Sequence, residues 1–202
     1  MAHEAFPREG LHLDRHRLCL RTPSLRDAES LYDLFADPEV MHRLNRRPIS
    51  AIEEARALNE AGIRSWEIDG LGPFILETAG TDRQVVGQAG LMIFDRRDWT
   101  PSTWTKAGSH AQPELGWALI RVHWGNGYAT EAAAAIRDWA YESRGIERLV
   151  SLISPDNIRS QRVAKRLGAA AAETVTPAHT GLKTVVWEHR PPEGSAKHPP
   201  GS

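Results

Sequence analysis

The stretch Trp124-Gly125-Asn126-Gly127-Tyr128-Ala129-Thr130-Glu131, WGNGYATE, decides the reading of this chain. Two glycines one residue apart lead directly into an alanine-rich run, EAAAAIRDWAYE, whose apolar residues recur at helical spacing. The first turn of a helix carries unpaired N–H donors and about half a positive charge, and glycine lets an anion reach the backbone without meeting a Cβ. The turn therefore offers what a pyrophosphate requires. The same residues would also serve as a plain strand-to-helix turn, so the flanking sequence has to decide.

Upstream, Pro113 to Ile120 reads as a strand. Downstream, Thr130 to Arg144 reads as a helix with Ala132, Ile136, Trp139, Ala140 and Ser143 facing the core and Gly145 as its stop. A strand and a second helix follow in ERLVSLISPDNIRSQRVAKRLGA, with Asn157 and Ser160 near the helix start and Gly168 at its end, and then two more strands. Nearer the N-terminus, Leu18 and Leu20 alternate in a first strand. Ser24 and Asp27 cap a helix with the stripe Ala28, Leu31, Leu34 and Phe35, which Asp37-Pro38 stops. A helix opening at Ser50, with Glu53 as its capping-box partner and Ile52, Ala55 and Leu58 on one side, precedes strands near 72–77 and 84–94. Asp95 to Gln112, with Trp99 and Trp104, reads as a long surface loop.

In that order the pieces resemble the GCN5-related N-acetyltransferases. The family's pyrophosphate motif, Q/R-x-x-G-x-G/A, maps onto Trp124 to Ala129, with Trp124 departing from the glutamine or arginine, and its second cofactor segment maps onto Asn157, Ser160 and Gly168. ELGWAL (Glu114 to Leu119) ahead of WGNGYATE, and RLCLR (Arg17 to Arg21) followed by LRDAESLYDLFADPEVM, are similar to the branch of bacterial ribosomal-protein N-acetyltransferases. The resemblance spans roughly residues 11–190. It implies a mixed α/β fold, a strongly twisted mixed sheet with one splayed central strand pair and helices on both faces.

The resemblance also implies acetyl-CoA as co-substrate, lying where the strand of Trp117, Ala118 and Leu119 splays from that of Leu149 to Ile153. Gly125, Asn126, Gly127, Tyr128, Ala129 and Thr130 would hold its pyrophosphate, and Asn157 its pantetheine. An unpaired strand edge suits a ligand that is itself amide-like. Transfer to an amine needs that amine neutral. An α-amino group, with a pKa of about 7.7–8.0, is nearly so at pH 7, whereas a lysine at about 10.4 is not. Glu114 is the first candidate base, acting through water, and His110 the second. Many family members place a tyrosine acid four residues after the position of Ser160; here that residue is Ala164, which leaves Ser160 as the nearest proton donor or relay. The basic cluster His42, Arg43, Arg46 and Arg47 would face an acidic acceptor, the cofactor or solvent.

Composition narrows the rest. The chain has 202 residues, enough for one well-buried domain over 11–190, with predicted mobile tails at 1–10 and 191–202. A formal charge of −1, from 25 basic and 26 acidic residues, gives no field favouring nucleic acid or an acidic membrane. The single cysteine, Cys19, has no intrachain partner, and no signal segment or apolar span stands out, so a cytoplasmic protein is expected. Nine scattered histidines and a single cysteine, with no Cys–Cys pair to join them, argue against a metal. The expected function is transfer of an acetyl group to a primary amine, either a protein N-terminus or a small molecule, by a monomer or homodimer. The alternative is a catalytically silent acyl-CoA-binding or sensor protein.

Overall fold

The computed structural model describes residues 12–14 and 17–192. The predicted terminal tails fall, except for residues 191 and 192, outside the described residues. In chain order the elements are β1 (His12–Asp14), β2 (Leu18–Arg21), α1 (Ala28–Ala36), α2 (Pro38–Arg43), α3 (Ile52–Asp69), β3 (Pro73–Thr78), β4 (Val85–Asp95), β5 (Thr100–Pro101), α4 (Trp104–Ala107), β6 (Ala111–Leu119), α5 (Tyr128–Glu142), β7 (Val150–Ile153), α6 (Ile158–Arg166), β8 (Ala170–Val175) and β9 (Thr184–Glu188). The strands form one sheet in the order β1-β2-β3-β4-β6-β7-β9-β8, with β5 added to β4. Every pairing is antiparallel except β6 with β7.

Helices cover both faces of the sheet, as expected. On one face Ala132, Ala133, Ala135, Ile136, Trp139 and Ala140 of α5 pack with Trp66 of α3 against Leu76, Leu91 and Leu115. Phe74 meets Trp66 and Trp139 edge to face there, and the two indoles are tilted against each other, with ring centroids 4.8–5.9 Å apart. On the other face Leu31, Leu34 and Phe35 of α1 and Val40 and Met41 of α2 close over Ile75. The predicted stripe of α1 is buried at all four positions. Asp37-Pro38 ends α1 and also begins α2: the Asp37 carboxylate accepts the N–H groups of Glu39 and Val40, and proline occupies the first helical position, where no N–H is needed.

Four sequence expectations need correction. Residues 95–112 are ordered. Asp95 ends β4, β5 and α4 follow, and β6 begins at Ala111, while Trp99 is buried against Phe94 and Trp104 packs on the main core. Of the two tryptophans in this segment, Trp99 is thus buried and Trp104, at the start of α4, is partly buried. The cap of α3 is Ala51, and Glu54, not Glu53, reaches back to Ser50, 2.9 Å to its N–H and 3.1 Å to its hydroxyl. The buried side of α3 runs through Ala55, Asn59, Gly62 and Trp66, with Leu58 exposed. Ser143 is an exposed cap residue and faces no core.

Candidate active site

The site begins where a strand ladder stops. Parallel pairing of β6 with β7 is confined to Glu114 opposite Val150. Just beyond, two side chains take the backbone groups that would have continued it. The Leu152 N–H donates to Glu114 Oε1 at 3.2 Å, and the Ser151 hydroxyl donates to the Leu115 carbonyl at 2.6 Å. With its own proton committed, Ser151 Oγ accepts from His189 Nε2 at 2.9 Å, which fixes the imidazole tautomer and leaves Nδ1 buried without a partner among the described residues. Burial, reinforced by Arg137, lowers the His189 pKa to about 4, so this wedge is neutral.

Beyond the wedge, one edge of β6 stays bonded to β4 through Gly87 opposite Leu119, while the other is open. The carbonyls of Leu115 and Leu119 both point to the open side, the first to Ser151 and the second accepting the Trp124 indole N–H at 2.8 Å. Backbone groups in a strand alternate in direction, so those of Trp117, midway between, point there as well. Trp117 thus presents an amide edge that no strand covers.

The glycine turn lies at the far end of this edge. Gly125 and Gly127 adopt φ of 85° and 80°, the left-handed region, and Gly127 caps α5. Arg17 holds the turn from behind: its guanidinium donates to the Asn126 carbonyl at 2.9 Å and pairs with Glu131 of α5 at 2.6 Å. Trp124 carries the guanidinium groups of Arg159 and Arg43, 4.6 and 5.6 Å from its ring, and so links α6 and α2 to the turn.

Two cavities meet across the break. A groove of about 630 Å³ runs along the open edge to the turn, lined by Leu119, Gly125, Gly127, Tyr128, Ala129 and Thr130 and by Arg121, Arg159, Arg162 and Arg166. A smaller cavity of about 220 Å³ lies on the other side, walled by Glu114, Arg46, Met92, Phe94, Ser154 and the segment Pro177 to Thr180. Arg43, Leu44, Trp117, Ala118, Asn157 and Ser160 line both. Anything reaching in from the groove meets anything held in the cavity at these six residues.

Glu114 stands on the cavity side of that junction and is 8% exposed. Burial pushes its pKa up to about 7, against the opposing pull of the Leu152 N–H and the more distant charge of Arg46. A carboxyl group that is half ionised at neutral pH can both take and return a proton.

The predicted site residues are mostly brought together. Trp117, Ala118, Leu119, Gly125, Gly127, Tyr128, Ala129, Thr130, Asn157 and Ser160 all line the groove. Asn126 does not: its side chain turns back to the His123 carbonyl, 3.1 Å away. His110 is also displaced, lying ahead of β6 and lining neither cavity; its carbonyl accepts the Arg96 N–H at 3.0 Å. Asn157 Oδ1 caps Ser160 at 3.1 Å and its Nδ2 donates to the Arg43 carbonyl at 2.9 Å, leaving one N–H and one lone pair uncommitted. Ala164, where an acid would stand in the family pattern, is buried among Ile153, Ala169 and Trp187 under α6 and cannot take a tyrosine ring without repacking.

Of the basic cluster, Arg43 and Arg46 line the cavity, and Arg47 pairs instead with Glu54. Neither Arg159, Arg162 and Arg166 nor the Ser151–His189 wedge was singled out from sequence. The i, i+3, i+7 spacing of the three arginines places them on one helix face, and that signal was available.

Residues 17–170 match the family described as the acetyltransferase (GNAT) domain. The chain belongs to this family. It is an acetyltransferase, and the alternative of a silent acyl-CoA-binding protein is set aside. Among relatives of the GNAT chain is the uncharacterized N-acetyltransferase p20 of Bacillus licheniformis, 28% identical over 152 residues, which cover 75% of this chain and 78% of the relative. The crystal structure of the acetyltransferase from Agrobacterium tumefaciens superposes with a TM-score of 0.72 at 26% identity, covering 94% of this chain and 99% of that one. RimL, a ribosomal L7/L12 alpha-N-protein acetyltransferase in complex with coenzyme A, shares the GNAT fold at a TM-score of 0.69 and 16% identity, over 90% of this chain and 98% of its own. Among the described residues, no helix is long and apolar enough to cross a membrane, and no cluster of His, Cys, Asp or Glu is placed to hold a metal ion.

Proposed function

We propose that this acetyltransferase uses acetyl-CoA and transfers its acetyl group directly to a primary amine, with Glu114 as general base. The observation that carries this reading is the junction: an open amide edge at Trp117, a glycine turn at one end and a carboxyl group with a pKa near 7 at the other. The residues fit the co-substrate. The N–H groups of Gly125, Gly127, Tyr128 and Ala129 at the start of α5 suit a pyrophosphate, and Arg159, Arg162 and Arg166, which make no ion pair among the described residues, suit its further phosphate. Coenzyme A bound to the fold neighbour RimL agrees with this assignment.

Acetyl-CoA supplies the acyl thioester. The acceptor amine, held in the smaller cavity, loses a proton through water to Glu114 as its nitrogen forms the new bond to carbon. The Trp117 N–H faces the open side and would stabilise charge on the acyl oxygen. As the carbon–sulfur bond breaks, Ser160, whose hydroxyl has no partner among the described residues, relays a proton to the leaving thiolate. The test is thiol release from acetyl-CoA in the presence of a panel of primary amines. Amine-dependent release is the expected result, and release that no amine accelerates would refute the reading.

A further inference from the structure

The smaller cavity contains two opposite charges that do not neutralise each other. Glu114 and Arg46 both line it, and they influence each other electrostatically without forming an ion pair. The Arg46 N–H is bonded to the Met41 carbonyl at 3.0 Å, but its exposed guanidinium makes no hydrogen bond or ion pair among the described residues, unlike those of its neighbours Arg43, tied to Glu39 at 2.9 Å, and Arg47, tied to Glu54 at 2.6 Å. The other ionisable groups on the wall are Arg43, already paired with Glu39, and His179, which burial holds below its ordinary pKa, so that it stays neutral. The cavity thus has one negative pole near the junction and one uncommitted positive pole.

Three further features limit what can fill it. Its volume of about 220 Å³ is below the ~300–1,000 Å³ of pockets for drug-sized ligands, so it suits a compact molecule. Its walls come from separate segments. Arg46 follows the loop that Asn157 anchors at Arg43, and the segment 177–180 is pinned at Ala178, whose N–H donates to the Asp98 carbonyl at 2.9 Å. The apolar part of the lining, Phe35, Met92 and Phe94, sits on the remaining side and offers no competing anion.

We propose that the acceptor is a compact amine bearing an anionic group, a carboxylate or phosphate, a few atoms from its nitrogen, with the amine toward Glu114 and the anion on Arg46. This rests on the acetyl-transfer reading above. A guanidinium is the natural partner for such a planar or tetrahedral anion, and among the described residues no carboxylate pairs with that of Arg46. A charge-assisted contact of this kind discriminates by roughly tenfold or more, and by less as salt rises.

The test compares matched acceptors, 4-aminobutanoate with 4-aminobutanamide, β-alanine with its amide, and 2-aminoethyl phosphate with ethanolamine, together with a short peptide carrying an acidic second residue, each rate being expressed per concentration of neutral amine because the anion raises the amine pKa. In the wild-type protein at low ionic strength, at least one anionic member is expected to exceed its neutral partner about tenfold in kcat/KM, through KM, and to exceed the peptide. In Arg46→Gln that ratio should fall toward one, in Arg46→Lys it should partly survive, and in Arg46→Glu it should invert. Because each ratio is taken within one variant, partial misfolding does not affect it. Equal use of charged and neutral acceptors, a preference that persists in Arg46→Gln, or acetylation of the peptide alone would overturn the proposal while leaving acetyl transfer intact. If no amine is acetylated, the acetyl-transfer reading itself fails.

Discussion

The groove and the cavity that meet at the end of the β6–β7 ladder are built in different ways. The groove is organised around backbone groups, namely the Trp117 amide edge, two left-handed glycines and the first turn of α5, and about half of its lining lies within Trp117 to Thr130, the rest coming from α2, the residue after it and the start and length of α6. The cavity is made of side chains contributed by the loop after α2, by β4, β6 and β7 and by the segment before β9. A backbone site can be specified by a short run of residues, because glycine conformation and helix start are local properties. A side-chain site exists only once distant segments are folded together.

That contrast explains what could be read from the sequence. WGNGYATE located the turn, and ELGWAL located the open strand and Glu114, since both are contiguous. The same logic failed for Asn126, whose side chain is turned back on the turn, and for His110, which shares β6's segment but not its working end. It also failed at Trp99 and Trp104: their polar flanks suggested a surface loop, whereas the burial of Trp99 and the partial burial of Trp104 are decided by tertiary packing. The segment 177–180 and the Ser151–His189 wedge carried no local pattern. Their roles come from lying opposite β6 across a break that only the sheet topology creates.

Substitutions can sharpen the contrast. The largest expected effect is on stability. The folded pKa of Glu114, about 7, lies above its ordinary 4.5, so its contribution to stability is full below pH 4.5 and is lost as pH rises through 7. The loss amounts to roughly 3 kcal/mol. Glu114→Gln, which keeps an acceptor for the Leu152 N–H, should therefore melt higher than the wild type at pH 8 and close to it at pH 4.5. Equal melting-temperature differences at both values would mean that the carboxyl group is not desolvated.

Gly127→Val tests the backbone half. A Cβ there would meet only Arg17 Nη2, at 3.5 Å, so space is not the obstacle, but φ of 80° is. Left-handed strain of about 1–3 kcal/mol should reshape the turn and weaken acetyl-CoA binding some five- to hundredfold by calorimetric titration, with the fold retained. Unchanged affinity would remove the turn from the site.

Asn157 belongs to both halves. Asn157→Ala removes a helix cap and the tether to Arg43, together worth about 2 kcal/mol, and should lower Tm by roughly 4–8 °C. Asn157→Asp keeps the cap and loses only the donor, so it should fall between. The smallest effect is expected at Ser160. A thiol pKa near ~8.5 already makes the thiolate a fair leaving group, so Ser160→Ala should reduce kcat less than about tenfold, with acetyl-CoA affinity nearly intact. A wild-type kcat would make the serine a packing residue.

The central claim is that a desolvated Glu114 takes the proton at the point where groove and cavity meet. Its most direct test is the pH profile of acetyl transfer for the wild type beside Glu114→Gln. The wild-type kcat/KM should rise with an inflection near pH 7 ahead of the deprotonation of the amine itself. In the variant that inflection should vanish, with rates ~10²- to 10⁴-fold lower at neutral pH and converging on the wild type above the amine's own pKa. The same inflection in both proteins, or a uniform loss at every pH, would contradict the assignment.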